Sequence, residues 1–111
     1  MYFEKFVIIF IYKLGGNIMN NNIDLNLIFK ALSDPIRIEI LKKISTAESI
    51  CVCELTNIAN LSQSKLSYHL KLLLSANLIT KIPKGKWNFY SINKDILESV
   101  LTLDAINKLF L

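Results

Sequence analysis

Two cysteines separated by one residue are the side chains of this sequence best suited to chemistry. Cys51 and Cys53 are the only cysteines in the chain. As thiolates they can bind soft metal ions or metalloids or undergo oxidation, whereas as buried thiols they are small apolar side chains. The single histidine argues against a histidine-rich metal site within one chain. Two cysteines are too few for the disulfide framework of a secreted protein, which favours a cytoplasmic location.

Helical periodicity places the cysteine pair near the start of a helix predicted over residues 50–60. Residues two apart on an α-helix point about 200° apart, so Cys51 should face the core and Cys53 should face outward. One ion then binds both sulfurs only if the start of the helix unwinds. We expect this unwinding to pass along the helix into the next one. Free backbone N–H groups at the helix start should favour the thiolate form.

The following helix carries the polar surface that this cysteine helix would move. Ser62 is suited to cap it, and apolar Leu66, Leu70, Leu73 and Leu74 recur at the spacing of one buried stripe. The opposite side combines hydroxyls, one aromatic ring and one lysine, and it contains no carboxylate: Ser64, Ser67, Tyr68, Lys71 and Ser75. Such a side is either an ordinary solvated surface or one that binds phosphates and base edges, as in a helix-turn-helix.

The distribution of charge favours the nucleic-acid interpretation. No Asp or Glu occurs between Leu55 and Lys94, a stretch whose six lysines contribute +6. The rest of the chain contributes −2, which gives the formal net charge of +4. A cationic block of this kind is the electrostatic footprint expected for a polyanionic partner.

The remaining pattern predicts one mainly α domain with a small β-hairpin, a winged helix-turn-helix. We predict helices over residues 24–32, from Pro35 to residue 44, and over residues 94–110. Strands over residues 78–83 and 87–92 should form a hairpin that turns at Gly85 and carries lysines at its tip. Trp87 and Tyr90 should pack the hairpin onto the core, with stacking on DNA bases as the alternative. The last helix is apolar over more than half its circumference, which predicts burial against a second subunit.

Residues 1–18 do not fit this domain, which we expect to span residues 19–111. The apolar run over residues 6–12 is far shorter than the ~20 residues that cross a bilayer, so no membrane association is expected. The codons of Gly15 and Gly16 lie just upstream of the Met19 codon and could be a ribosome-binding sequence that has been read as protein. Met19 would then be the true start. A native extra helix and a targeting segment are the alternatives.

Four segments, in the right order, resemble the arsenic-repressor (ArsR/SmtB) family. They are Phe29–Arg37, Cys51–Leu55, Leu66–Leu73 and Gly85–Tyr90. The resemblance covers about residues 25–105. It implies a homodimeric repressor, not an enzyme, that pairs through its first and last helices and leaves its operator when a toxic metal or metalloid binds.

The resemblance also implies the inducer. Cys51 and Cys53 match the thiolate pair of the family, although Thr56 stands where some members have a third cysteine. Residues 1–50 contain no cysteine and the last helix no histidine, unlike the members that sense cadmium, lead, zinc or nickel. As(III) or Sb(III), with solvent or a small thiol as third ligand, is therefore the expected inducer, with no organic cofactor.

The expected DNA contacts lie on the predicted recognition helix and the wing. Family analogy adds His69, which helical geometry places at the apolar edge, where a hydrogen-bonded core position is the alternative. The full set is Gln63, Ser64, Lys65, Ser67, Tyr68, His69, Lys71, Lys84 and Lys86. The lysines of the wing should add affinity and salt dependence rather than sequence choice. A dimer would bind double-stranded operator DNA containing an inverted repeat.

A repressor of the same fold that responds to thiol oxidation is the alternative function. It would join Cys51 and Cys53 in a disulfide, which would be strained inside a continuous helix. A thiol enzyme is disfavoured because no neighbouring base accompanies the pair, and it would leave the lysine block unexplained.

Overall fold

The structure, a computed structural model, describes residues 23–110. The expectation about residues 1–18 therefore lies outside the described residues. The elements in chain order are α1 (Leu25–Leu32), α2 (Pro35–Ile44), β1 (Ile50–Cys51), α3 (Val52–Leu55), a short 3-10 helix (Ile58–Asn60), α4 (Gln63–Ser75), β2 (Ile79–Lys84), β3 (Trp87–Ile92), α5 (Lys94–Val100) and α6 (Leu103–Phe110). This is the predicted mainly helical fold with a small antiparallel sheet.

The junction between α1 and α2 is set by local capping and follows the prediction. Asp24 caps α1 by accepting a hydrogen bond from the backbone N–H of Leu27. Asp34 caps α2 through a 2.8 Å hydrogen bond from the N–H of Ile36 to its carboxylate. Pro35 occupies the first position of α2, where its missing N–H costs nothing.

The predicted helix over residues 50–60 is wrong in its extent. Ile50 and Cys51 instead form a two-residue strand, α3 covers only Val52–Leu55, and the 3-10 helix follows. The strand arises because β3 offers a free edge with which Ile50 and Cys51 pair, a long-range interaction that helical periodicity does not reveal.

Helix α4 has sharply defined ends and begins at the predicted cap. The hydroxyl of Ser62 accepts a hydrogen bond from the N–H of Lys65, and this satisfies a free donor of the first turn. At the other end Asn77 adopts a left-handed conformation with φ 59°, and the N–H of Leu78 donates to the carbonyl of Leu73 at 3.1 Å. This is a Schellman ending. Asn60, just before the helix, also has a positive φ, 53°.

The hairpin is confirmed and belongs to a three-stranded antiparallel sheet in the order β1-β3-β2. β2 and β3 pair from Ile79 opposite Ile92 to Lys84 opposite Trp87. Gly85 has φ +62°, so the tight turn at the tip needs a residue that tolerates the left-handed region.

The predicted helix over residues 94–110 is two helices. Leu101 leaves the helical conformation with ψ 148°, and α6 begins after it. The hydroxyl of Thr102 accepts a hydrogen bond from the N–H of Ala105 at 3.0 Å, so this threonine starts the second helix. The break allows α6 to pack back against α2.

One core joins these elements. Its fully buried larger side chains come from α1, α2, α3, α4, β2, α5 and the residue before β2, namely Ile28, Ile40, Leu41, Ile44, Leu55, Leu66, Leu73, Leu78, Ile79 and Val100. Within residues 23–110, no helix is both long and apolar enough to cross a bilayer.

Candidate nucleic-acid and thiol sites

The solvent-facing side of α4 matches the predicted polar surface. Ser64, Ser67, Tyr68 and Lys71 are all exposed, and the tyrosine has 56% of its surface accessible. Gln63 and Lys65 flank them in the first turn and are also exposed. Leu66, Leu70 and Leu73 are buried on the opposite side, which fixes the rotation of the helix about its axis.

His69 does not belong to that exposed side. Only 8% of its surface is accessible, and its Nδ1 lies 3.0 Å from Nη1 of Arg37. A guanidinium only donates hydrogen bonds, so Nδ1 accepts and the ring proton of a neutral His69 is on Nε2. The structure thus places His69 as the hydrogen-bonded core-edge residue rather than among the exposed contacts.

Arg37 uses this contact to hold α4 against the end of α1. It is buried, with 6% of its surface accessible, because its donors find acceptors inside the protein. Nε donates to the carbonyl of Ala31 at 2.8 Å, and Nη2 donates to the carbonyl of Lys30 at 3.0 Å. The carboxylate of Asp34 forms an ion pair with Arg37, with Oδ2 at 3.6 Å from Nη1. We refer to these contacts together with His69 as the Arg37 network. The network could not be predicted from the sequence because His69 lies 32 residues from Arg37 along the chain.

The hairpin presents the predicted cationic tip. Lys84 and Lys86 are exposed, and the ammonium of Lys84 lies 5.2 Å from the centre of the Phe89 ring. The expectation that Trp87 packs on the core is wrong, since 52% of its surface is accessible. Trp87 stands opposite Lys84 at the end of the ladder, beyond the reach of the core. Tyr90 is buried as predicted, and burial raises the pKa of its phenol above 10.

The two cysteines meet at the junction between β1 and α3. Their Cα atoms are 5.2 Å apart, and the two sulfur atoms are joined as a disulfide. Cys51 has 7% of its surface accessible, whereas Cys53 is exposed. The N–H of Cys53 also donates to Sγ of Cys51 at 3.2 Å, so that Cys51 caps α3.

This geometry corrects the expectation that an intact helix separates the sulfurs. Cys51 precedes α3 and has extended backbone angles, φ −64° and ψ 140°, so the 200° helical separation does not apply. The sulfurs therefore reach each other without unwinding of a helix. The same geometry removes the objection that a disulfide would have to form inside a helix.

The two sulfurs are soft donors that suit a thiophilic ligand. Within residues 23–110, no group of three or more Cys, His, Asp or Glu side chains lies close enough together to hold a metal ion. Two sulfurs bound to one ion at about 2.3 Å each lie about 3.8 Å apart in tetrahedral geometry. Cα atoms 5.2 Å apart allow that spacing after reduction.

α3, the short 3-10 helix and α4 form a helix-turn-helix, and the hairpin with lysines at its tip follows it. This arrangement, with the exposed polar side of α4, defines a winged helix-turn-helix protein. The family description "Bacterial regulatory protein, arsR family" matches residues 34–81. Over 74 residues the chain is 50% identical to the arsenical resistance operon repressor of Bacillus subtilis, covering 67% of this chain and 70% of that protein. It is 39% identical over 85 residues to the arsenical resistance operon repressor of Staphylococcus xylosus, covering 76% of this chain and 81% of that protein.

A solved ArsR family transcriptional regulator has the same fold. Its crystal structure superposes with a TM-score of 0.64 at 26% sequence identity, over 76% of this chain and 86% of that one. The chain therefore belongs to the ArsR family of DNA-binding transcriptional repressors, which are not enzymes.

Proposed function

We propose that this protein is a metalloid-responsive repressor that binds operator DNA as a homodimer and is released when As(III) or Sb(III) binds Cys51 and Cys53. The observation that carries the proposal is the meeting of these two sulfurs at the end of β1, next to the DNA-binding elements. The names of the two repressors compared above support an arsenic-type inducer. A reducing cytoplasm is the proposed location, because it would keep the pair as thiols.

The proposed DNA surface has two parts. Ser64, Ser67, Tyr68 and Lys71 would face the major groove, with Gln63 and Lys65 beside them, and would read base edges and phosphates. The exposed Lys84 and Lys86 would contact phosphates from the wing, and the exposed Trp87 would lie against the sugar-phosphate backbone. His69 would act through the Arg37 network, by orienting α4, instead of touching DNA.

Homodimerisation would use α1 and α6. Phe29 on α1 and Leu103 on α6 are large apolar side chains that are exposed in the single chain. Burying such side chains at an interface is favourable by about 25 cal/mol per Å² of apolar surface. The dimer would present two α4 helices to successive major grooves, so the operator would contain an inverted repeat. Sedimentation equilibrium tests the dimer, and a monomer at micromolar concentration would contradict it.

The test of the inducer uses DNA selected from a random duplex pool by the reduced protein. Fluorescence anisotropy would follow release of the selected duplex during titration with sodium arsenite or potassium antimonyl tartrate. Cys53→Ser should bind the duplex as tightly as the wild type but require at least about tenfold more arsenite for release, because one of two sulfur ligands is lost.

Thr56→Val is the matched control, since it changes an exposed neighbour without removing a thiol. It should respond like the wild type. Equal arsenite sensitivity of Cys53→Ser and the wild type would refute the assignment of the ligands.

A redox-responsive repressor is the second candidate, because the two sulfurs are joined in the structure. The same release assay separates the candidates. An arsenite sensor releases DNA under reducing conditions when arsenite is added, whereas a redox sensor releases it with hydrogen peroxide or a persulfide and recovers after reduction.

A further inference from the structure

The register of the sheet places Cys51 on the same face as the exposed residues of the wing. Cys51 stands directly opposite Phe89, and Phe89 stands directly opposite Ile82 on the other edge. Residues directly opposite each other in an antiparallel sheet project from the same face. Two positions further along, Trp87 and Lys84 form the next pair on that face. On the other face, Ile50 and Tyr90 are buried against the core.

Phe89 lies between Cys51 and Lys84 on this face. It is partly buried, and it is the cross-strand neighbour of Cys51. The ammonium of Lys84 lies 5.2 Å from the centre of its ring, within the range of a cation–π interaction. Phe89 is therefore the one side chain between Cys51 and Lys84, so a displacement of Cys51 can alter the tip of the hairpin through it.

Two short-range contacts of Cys51 would be disturbed by binding at its sulfur. β1 consists of two residues, and both pair only with β3 among the described strands. Sγ of Cys51 accepts the N–H of Cys53, which caps α3. A sulfur that binds an inducer gives up a lone pair to it, and this weakens its contact with the N–H. Ligand binding would then act on both the strand pairing and the cap.

We propose that Phe89 is a positioning residue that transmits inducer binding at Cys51 and Cys53 to the wing. The proposal rests on the proposed function, because it needs an inducer at the thiol pair. It replaces the expected route along the cysteine helix into α4. That helix ends at Leu55, the packing contacts of α3 run to β1 and β3, and residues 56–62 separate it from α4.

The test uses Trp87, the only tryptophan of the chain, as a reporter on the wing. Trp87 is two residues from Phe89 on the same face of the sheet. The reduced full chain, without DNA, is titrated with sodium arsenite while tryptophan emission is recorded. In parallel, mass spectrometry after iodoacetamide treatment measures how far arsenite protects the thiols. In the wild type, emission should change over the same arsenite range as thiol protection.

Phe89→Leu retains an apolar side chain but removes the ring between Cys51 and Lys84. It should protect its thiols within about threefold of the wild-type arsenite concentration, yet lose at least half of the emission change. Thr80→Val is the matched control, because it changes an exposed residue of the same sheet without removing the ring between Cys51 and Lys84. It should give the full emission change.

Amide hydrogen exchange of the wild type provides a second measurement that does not depend on a variant folding. Arsenite should speed exchange of the segment 79–92 severalfold if the inducer disturbs the pairing of β3. Unchanged exchange, unchanged emission despite protected thiols, or a full emission change in Phe89→Leu would each overturn the proposed route and leave the repressor function standing. Thiols that arsenite does not protect would overturn the proposed function itself, and the route with it.

Discussion

Replacing Arg37 by methionine should destabilise this protein more than any change to an exposed lysine. The guanidinium donates one hydrogen bond each to the carbonyls of Lys30 and Ala31 and one to Nδ1 of His69. Methionine fills part of the volume of the aliphatic stem but has no donor. Arg37→Met thus leaves three acceptors without their partner in a region where 6% of the arginine surface meets solvent.

The size of the loss follows from these three contacts. A hydrogen bond to a charged group contributes about 1.5–3 kcal/mol, and a buried polar group left unpaired costs about 1–3 kcal/mol. Lys30 and Ala31 end α1, where water can replace part of the lost contact, so the low end applies to their carbonyls. We expect the free energy of unfolding to fall by about 3–4 kcal/mol, out of the ~5–15 kcal/mol usual for a domain.

Urea unfolding followed by circular dichroism measures this loss, at one fixed protein concentration because dimerisation would add to the stability. Lys43→Met on α2 is the matched control, since Lys43 is exposed. It should change the free energy of unfolding by less than about 0.5 kcal/mol.

A double-mutant cycle isolates the contact between helices. Arg37→Met, His69→Leu and the double variant should give a coupling energy of about 1–2 kcal/mol, because each single change removes the same hydrogen bond. A loss below about 1 kcal/mol in Arg37→Met, or additive effects in the cycle, would refute the view that Arg37 holds α4 in place.

Two further predictions concern the wing and the core. Replacing Lys84 and Lys86 together by alanine should weaken binding to all duplexes to a similar degree and reduce the slope of log K against log salt by about 0.9 for each lost phosphate contact. Filter binding from low to moderate salt measures that slope, and an unchanged value would place both lysines away from DNA. Burial raises the pKa of Tyr90, so the unfolded chain ionises first as pH rises. The contribution of Tyr90 to the free energy of unfolding should be constant below pH ~10. Above that pH it should fall by up to about 1.4 kcal/mol per pH unit, until the phenol of the folded protein ionises as well. Tyr90→Phe should show a smaller fall in the same alkaline urea titration, and an identical fall would contradict the assignment.

Local signals account for the parts of the fold that the sequence predicted correctly. Asp34 with Pro35 at the start of α2, Ser62 at the start of α4 and Gly85 in the hairpin each act within a few residues of their own position. Their hydrogen bonds or backbone angles are those expected from residue type. The rotation of α4 was equally predictable, because leucines at helical spacing determine which side is buried.

The errors arose where distant residues decide the structure. β1 is extended because Cys51 pairs with Phe89, which lies 38 positions further along the chain. For His69, helical geometry indicated the apolar edge correctly, but its partner Arg37 could not be predicted because it lies 32 residues away along the chain. The break in the last helix is different, since Thr102 followed by Asp104 is a recognisable helix start that the continuous apolar pattern concealed.

The two asparagines that flank α4 bear on how the proposed DNA preference of this protein could change. Asn60 and Asn77 hold left-handed backbone angles that a β-branched residue would strain, so they act as fixed stops. Between them, the buried Leu66, Leu70 and Leu73 set the rotation of the helix. If Ser64, Ser67 and Tyr68 contact bases as proposed, substitutions at these three positions would change operator preference without changing where α4 begins and ends.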